Sequence, residues 1–256
     1  VTSICHEMPV AQEPWLVIAG RSFTSRIIVG IEQYDDVDMV RNVLAASGGD
    51  VFITTVDPDN RRSSLLLSDL DAALDLDDFV WIGTTSFARS KDSALRTARI
   101  LREALGIDIL KLDVRGENNV PDNQSTYEAA VELKEQGMEL MPFILPDPAM
   151  ARKLEEAGCA ALRVMAAPVA SGAGIVQPEP IREIIEQSGI PIIVEGGLGC
   201  ARHVAQAMEL GAAATLVNTA LVRAEDPLKM ASAMRHAALA GRLSYESGHM
   251  PEPAAA

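Results

Sequence analysis

A lysine and an aspartate stand two residues apart in an otherwise apolar run, Ile109-Leu110-Lys111-Leu112-Asp113-Val114. Alternate residues of a strand share a face, so Lys111 and Asp113 point one way while Leu110 and Leu112 point the other. In a barrel wrapped by helices the leucines meet the helices, and the charged pair faces the interior. An ammonium enclosed there is costly. The neutral amine is the form that attacks a carbonyl to make an imine. A buried lysine–aspartate ion pair would place the same residues in the same way, and position alone leaves both readings open.

A second constellation is Ile192-Ile193-Val194-Glu195-Gly196-Gly197-Leu198-Gly199. An apolar strand ends in an acid, and a glycine-rich turn then opens a helix. Glycines allow close backbone approach to a ligand, and a helix start favours an anion. The next apolar run ends Thr215-Leu216-Val217-Asn218-Thr219-Ala220. In barrels of alternating strands and helices, the loops after strands seven and eight commonly bind phosphate. Gly196, Gly197, Asn218 and Thr219 fall at those two ends, although Asn218 and Thr219 would also suit a helix cap. Small residues in Ala167-Pro168-Val169-Ala170-Ser171-Gly172-Ala173-Gly174 mark a loop that either lies close to a ligand or is a plain connection. His6, His203, His236 and His249 do not cluster and lack metal-ligand spacing, so no metal is expected. Cys200, near the end of the seventh strand, reads either as a residue that touches the site or as a small buried residue.

These residues need strands and helices to hold them. Strands are expected at Ile27–Gly30, Val51–Thr55, Phe79–Gly83, Ile109–Val114, Leu140–Phe143, Ala161–Met165, Ile192–Glu195 and Thr215–Asn218. Helices are expected near Asp36–Ala46, Ser68–Leu74, Lys91–Leu105, Ser125–Gln136, Pro148–Ala157, Glu179–Gln187, Ala201–Leu210 and Pro227–Ala240. Ser90 starts the third of these and Gly106 stops it, while Gly137, Gly158, Gly189 and Gly211 punctuate later ones. Eight such units make a closed barrel or an open doubly wound sheet. The absence of GxGxxG after the first strand disfavours a dinucleotide fold. The fold class is therefore α/β, a (βα)8 TIM barrel. Trp15–Arg26, with Ala19-Gly20 at its centre, reads as a hairpin covering the N-terminal mouth.

The length of 256 residues suits one such barrel, so residues 1–256 are read as one domain, with 1–14 and 249–256 as poorly ordered tails. Aromatics make up only 4% of the chain, and the apolar mass of Ala, Leu, Ile and Val suits parallel strands under helices. The formal charge of −14 disfavours nucleic acid and anionic membrane as partners, although local N–H groups can still hold a phosphate. Cys5, Cys159 and Cys200 are odd in number and scattered, which points to a reducing cytoplasm. No signal peptide or membrane span is expected.

Taken together, the motifs resemble thiazole synthase, the barrel enzyme that makes the thiazole phosphate of thiamin. The resemblance runs from about Trp15 to Gly248. It rests on the N-terminal hairpin, Glu103-Ala104-Leu105-Gly106, Leu110-Lys111-Leu112, Leu154-Glu155-Glu156-Ala157-Gly158-Cys159-Ala160-Ala161 and Leu216-Val217-Asn218-Thr219-Ala220. It implies that Lys111 joins the C2 ketone of deoxyxylulose phosphate, and that Gly196, Gly197, Asn218 and Thr219 hold the phosphate. Sulfur would come from a carrier protein ending in a Gly-Gly thiocarboxylate, with no organic cofactor.

Several positions depart from the family pattern. Asp113 stands where the family has Glu, Glu195-Gly196-Gly197 where it has Asp-Ala-Gly, and Ala170 where it has Gly. The early and third-strand loops are replaced by Gly30-Ile31-Glu32-Gln33-Tyr34 and Gly83-Thr84-Thr85-Ser86-Phe87-Ala88-Arg89. This combination resembles the related 2-thiosugar synthases of antibiotic pathways, which implies that Lys111 engages the C1 aldehyde of glucose 6-phosphate. Asp113 and Glu195 would then move protons during enolisation. Relatives imply a homo-oligomer. Thiazole synthase proper, a sulfur-free aldolase or isomerase using Lys111, and a non-catalytic barrel that binds a carrier protein are the other readings.

Overall fold

The structure is a computed structural model that describes residues 13–31, 33–34, 36–55, 75–248 and 250. It opens with a short antiparallel pair, β1 (Leu16–Ile18) and β2 (Arg21–Phe23). Ala19 and Gly20 join them with φ of 48° and 72°. Two successive positive φ values give the kind of turn whose twist matches an antiparallel hairpin. Eight parallel strands follow: β3 (Ile27–Val29), β4 (Val51–Thr54), β5 (Val80–Thr84), β6 (Ile109–Leu112), β7 (Glu139–Ile144), β8 (Leu162–Met165), β9 (Ile192–Glu195) and β10 (Ala214–Val217). From β4 to β10 consecutive strands pair, and β10 also pairs with β3 through Thr215–Ile27, Leu216–Ile28 and Val217–Val29. Among the described residues no ladder joins β3 to β4, so this TIM barrel closes except at that seam.

The helices are α1 (Val37–Ser47), α2 (Lys91–Leu105), α3 (Asn123–Glu135), α4 (Pro148–Glu156), α5 (Pro178–Gln187), α6 (Ala201–Glu209), the short α7 (Thr219–Val222) and α8 (Pro227–Ser247). Their ends follow local chemistry. Ser90 and Ser93 form a capping box at the start of α2, and Gly106 ends it at φ 65°. Gly137, Gly158 and Gly211 also adopt left-handed φ after their helices, whereas Gly189 does not: α5 ends at Ser188 in an extended conformation. The helix expected at Ser68–Leu74 lies outside the described residues.

Two further elements depart from the sequence reading. The last helix does not stop at Ala240 but runs through Gly241 to Ser247. Gly241 is a packing residue, because a Cβ there would lie 2.5 Å from the Ala205 carbonyl oxygen and 2.9 Å from Met208 Cβ. The missing side chain lets α8 press against α6, so a glycine with stop-signal character serves here as a contact. The short α7, not anticipated from periodicity, follows β10 directly, with Asn218 as its N-cap residue.

Strand alternation divides the apolar residues into two cores. Leu110, Leu112, Leu162, Val164 and Val194 belong to the layer between strands and helices. Ile53, Ile82, Ile109, Met141, Ile193 and Leu216 belong to a separate cluster inside the barrel, which also takes in Leu16 and Phe23 of the hairpin. Phe23 is wholly buried and meets the Trp15 ring edge-on, 5.7 Å between centroids. Asp50, just before β4, fastens the hairpin: its Oδ2 accepts from Thr24 N–H at 2.6 Å, Thr24 Oγ1 at 2.7 Å and Ser25 N–H at 2.8 Å. The hairpin thus plugs the N-terminal mouth, as the sequence implied, and leaves the opposite end open for a site.

Candidate active site

Lys111 sits near the C-terminal end of β6, with its side chain inside the barrel and only 3% of the residue exposed. The ladder stops at Leu112, so Asp113 begins the following loop. Thr85 holds Asp113 in place of a strand partner. Its hydroxyl accepts the Asp113 N–H and donates to the Asp113 carbonyl, both at 2.7 Å. Lys111 Nζ lies 3.4 Å from both carboxylate oxygens of Asp113, 3.4 Å from Ser86 Oγ and 3.8 Å from Glu195 Oε1. The Ser86 hydroxyl is itself 2.7 Å from Thr84 Oγ1.

Beneath this group lies Arg163, projecting inward from β8 and wholly buried. Its Nε donates to the Met141 carbonyl at 2.8 Å and its Nη1 to Glu195 Oε2 at 2.7 Å. Its Nη2 donates to the Leu112 carbonyl at 2.9 Å and also to Asp113 Oδ1. Arg115 holds the other side of Asp113, with Nε 2.9 Å from Oδ2 and Nη2 bonded to the same oxygen. The Phe143 ring lies against both guanidiniums, its centroid 5.2 Å from Arg163 Cζ and 5.4 Å from Arg115 Cζ. Burial alone pushes the Asp113 carboxyl up. Arg163, then Lys111, then Arg115 outweigh it and hold the carboxyl well below the usual carboxylate range.

Above this floor opens a cavity of about 680 Å3 at the C-terminal end of the strands. Lys111 and Glu195 line it, together with Ser86, Arg89 and Arg115. The β9–α6 loop contributes Gly196 and Gly197, the β10–α7 junction contributes Asn218 and Thr219, and Ala170 comes from the loop after β8. The eight residues expected to form the site are therefore gathered at one end of the barrel, seven on the cavity wall and Asp113 directly behind it.

Gly196 and Gly197 have φ of 80° and 69°. A Cβ on Gly196 would lie 2.9 Å from the Ala167 carbonyl oxygen, and one on Gly197 would lie 2.4 Å from Ala167 Cβ. Both glycines are thus demanded by conformation and by closeness to the neighbouring loop. Gly174 N–H donates to the Gly197 carbonyl at 2.9 Å and knits the two loops together. Ala170 adopts φ 65° without being glycine, a strained choice for an L-residue. His203 supports the β9–α6 loop from below: its Nδ1 accepts the Gly199 N–H at 3.1 Å. Burial, and then the neighbouring Arg202, lower its pKa and favour the neutral ring that this acceptor role needs. Gln33, from the early loop, reaches Thr219 Oγ1 at 3.3 Å.

The residues not anticipated are Arg163, Arg115 and Ser86. The first two carried a visible signal. Arg163 alternates with Leu162 and Val164 as Lys111 alternates with Leu110 and Leu112, and Arg115 continues the Lys111–Asp113 spacing by two. Ser86 had none, because it reaches Lys111 through a loop. Among the described residues no group of three or more histidine, cysteine or acidic side chains is placed to hold a metal ion. Cys159 and Cys200 are free thiols, and burial raises the Cys159 thiol to about 12. No helix of the described residues is long and apolar enough to cross a membrane.

Fold and site together define a TIM barrel with an inward lysine between two acids and a glycine-rich wall at its C-terminal mouth. The chain belongs to the thiazole synthase family: residues 17–256 match the family described as thiazole biosynthesis protein ThiG, and the protein is an enzyme of that family. It is 39% identical to the thiazole synthase of Aquifex aeolicus, covering 94% of this chain and 91% of that one. It is 41% identical to that of Maricaulis maris, covering 93% and 89%. It is also similar to a solved Amycolatopsis orientalis structure, the BexX/CysO complex, with 75% identity, a TM-score of 0.92 and coverage of 95% of this chain and 100% of that one. A 3-hexulose-6-phosphate synthase from Salmonella typhimurium, at 19% identity and a TM-score of 0.58 over 84% of this chain and 98% of that one, shares the fold.

Proposed function

We propose that this enzyme inserts sulfur into a sugar phosphate, with glucose 6-phosphate as the substrate held on Lys111. The observation that carries the reading is the Lys111 amine on the cavity floor, 3.8 Å from the carboxylate of Glu195, beneath a wall of glycine backbone. Lys111 Nζ adds to the C1 aldehyde, and loss of water gives an imine. A proton then moves from C2 to C1 by way of a neighbouring carboxyl, which leaves a carbonyl at C2. A carrier-protein thiocarboxylate attacks C2 through sulfur; the C2 alkoxide takes the acyl group from sulfur, and the C2–O bond then breaks as C2=S forms, releasing the carrier as a carboxylate. Reversal of the proton shift and hydrolysis of the imine release a 2-thiosugar phosphate and regenerate the amine. No oxidant or reductant is consumed.

Gly196, Gly197, Asn218 and Thr219 are the residues assigned to the phosphate, and Arg223 on the same wall adds positive charge. A carrier protein as sulfur donor is supported by the likeness to BexX, solved in complex with CysO. The choice of hexose over pentulose is supported by the altered wall at Glu195 and Ala170 and by the altered acid behind it, Asp113. The lower identity to the two thiazole synthases, 39 to 41% against 75% to BexX, leaves room for a substrate other than theirs. We read the whole chain as one barrel domain that works in the cytoplasm as a homo-oligomer.

The test is borohydride trapping with a panel of sugar phosphates, read by intact mass. A reduced adduct with glucose 6-phosphate is expected. An adduct with deoxyxylulose phosphate alone would make the protein a thiazole synthase in the strict sense. No adduct with any sugar phosphate would favour a barrel that only binds the carrier, and turnover without any carrier would favour a sulfur-free isomerase or aldolase.

A further inference from the structure

The two acids beside Lys111 are not equivalent. Asp113 is wholly buried and lies behind the cavity wall, whereas Glu195 lines the cavity. Asp113 is faced by Lys111 from the end of β6, by Arg115 from its own loop and by Arg163 from β8. Glu195, on β9, is faced by Arg163 and Lys111. One arginine touches both acids and spends its remaining bonds on the Met141 and Leu112 carbonyls, so its position is fixed by two further strands.

We infer that Arg163 is the positioning residue that separates the roles of the two acids. It locks Asp113 as a permanent counter-ion, and it pins Glu195 through Oε2 so that Oε1 is the atom that moves the substrate proton. The geometry permits little else. A carboxylate gripped by two guanidiniums and shut off from the cavity has no path to a sugar carbon. Glu195 keeps one oxygen clear of Arg163, aimed at Lys111 Nζ from the cavity wall. The fork of a planar guanidinium fixes direction as well as charge, which an ammonium does less well.

The inference rests on the Schiff-base reading above. In the step concerned, Glu195 Oε1 takes the proton from C2. The C2–H electron pair becomes the C1=C2 bond, and the iminium π pair returns to Nζ. The same carboxyl then protonates C1, and the O2 hydroxyl proton leaves to solvent, matching the one gained when the imine was protonated. Arg163 touches no reacting atom in this sequence.

The experiment uses the full chain with glucose 6-phosphate deuterated at C2 and no carrier protein. Adduct formation is read by borohydride trapping and intact mass. Departure of the label from C2, whether to water or to C1, is followed by deuterium NMR. Wild type forms the adduct and releases the label. Glu195→Gln forms the adduct but releases the label at least about 10²-fold more slowly, the usual contribution of a positioned general base. Asp113→Asn forms the adduct and still releases the label within about tenfold of wild type, well inside the loss expected for removing the base itself. Arg163→Met slows release while the half-saturating sugar concentration stays within about twofold, because ground-state binding is untouched. Arg163→Lys recovers part of the rate.

Four results would overturn the inference. They are wild-type label release in Glu195→Gln or in Arg163→Met, an Asp113→Asn variant as slow as Glu195→Gln, and loss of the adduct itself in Glu195→Gln. Should Arg163→Met fail to fold, Arg163→Lys and the two acid variants still decide. No adduct with wild type would instead refute the Schiff-base reading.

Discussion

Replacing Gly197 by alanine tests the phosphate wall and the packing argument together. Two costs follow from the structure. The residue sits at φ 69°, and an L-residue in that region costs about 1–2 kcal/mol. The new methyl would lie 2.4 Å from Ala167 Cβ and 3.0 Å from Ser171 Oγ, and overpacking of this kind costs about 1–3 kcal/mol. Their sum, about 2–5 kcal/mol, is serious against the usual total of about 5–15 kcal/mol but leaves a folded protein over most of that range. The strain falls on the loops after β8 and β9, so the cavity wall should deform before the barrel does. Urea denaturation read by circular dichroism should show a lower midpoint with an unchanged slope. Borohydride trapping should require at least tenfold more sugar phosphate. A Gly197→Ala protein with wild-type midpoint and wild-type half-saturation would refute both the close approach and the assignment of this wall to phosphate.

Three further outcomes follow from the same structure. Ala170→Gly removes a left-handed alanine. It should leave stability unchanged or raise it by up to about 1 kcal/mol, the relief of strain less the entropic cost of glycine, read from the denaturation midpoint. Gly241→Ala should lower stability by about 1–3 kcal/mol, because the methyl meets the Ala205 carbonyl oxygen at 2.5 Å; a neutral result would mean that α6 and α8 are not in contact there. His203 has a lowered folded pKa, so the native state binds fewer protons there than the unfolded chain. Its stabilisation is complete above its ordinary value of 6.5 and is lost as pH falls from 6.5 to the lowered folded value. The melting temperature should therefore drop across that window, and His203→Gln should remove this part of the slope.

Much of the framework could be read from the residues because it depends on local rules. Strand alternation placed Lys111 inside and Leu110 and Leu112 outside, and the structure puts the leucines in the outer core and the lysine at the cavity. Ala19-Gly20 announced the hairpin because its turn needs two positive φ values. The same alternation, applied to Ala161–Met165, would have exposed Arg163, but an arginine in a strand carries no catalytic pattern of its own. What it does depends on Asp113 and Glu195, which come from other strands and meet it only when the barrel closes. The continuation of the last helix through Gly241 depends on a neighbour as well. Glycine after a periodic run usually ends a helix, and only the approach of α6 shows that here it makes room for a neighbour. Ser86 beside Lys111 and Gln33 on Thr219 are loop contacts, fixed by the fold rather than by sequence spacing.

The central claim is that Lys111 carries the sugar. Incubation with glucose 6-phosphate, borohydride reduction and peptide mapping by mass spectrometry tests it most directly. The peptide containing Lys111 should gain the mass of one reduced hexose phosphate, and Lys111→Ala should gain nothing while keeping its fold. An adduct on any other lysine, or an unchanged adduct in Lys111→Ala, would contradict the account.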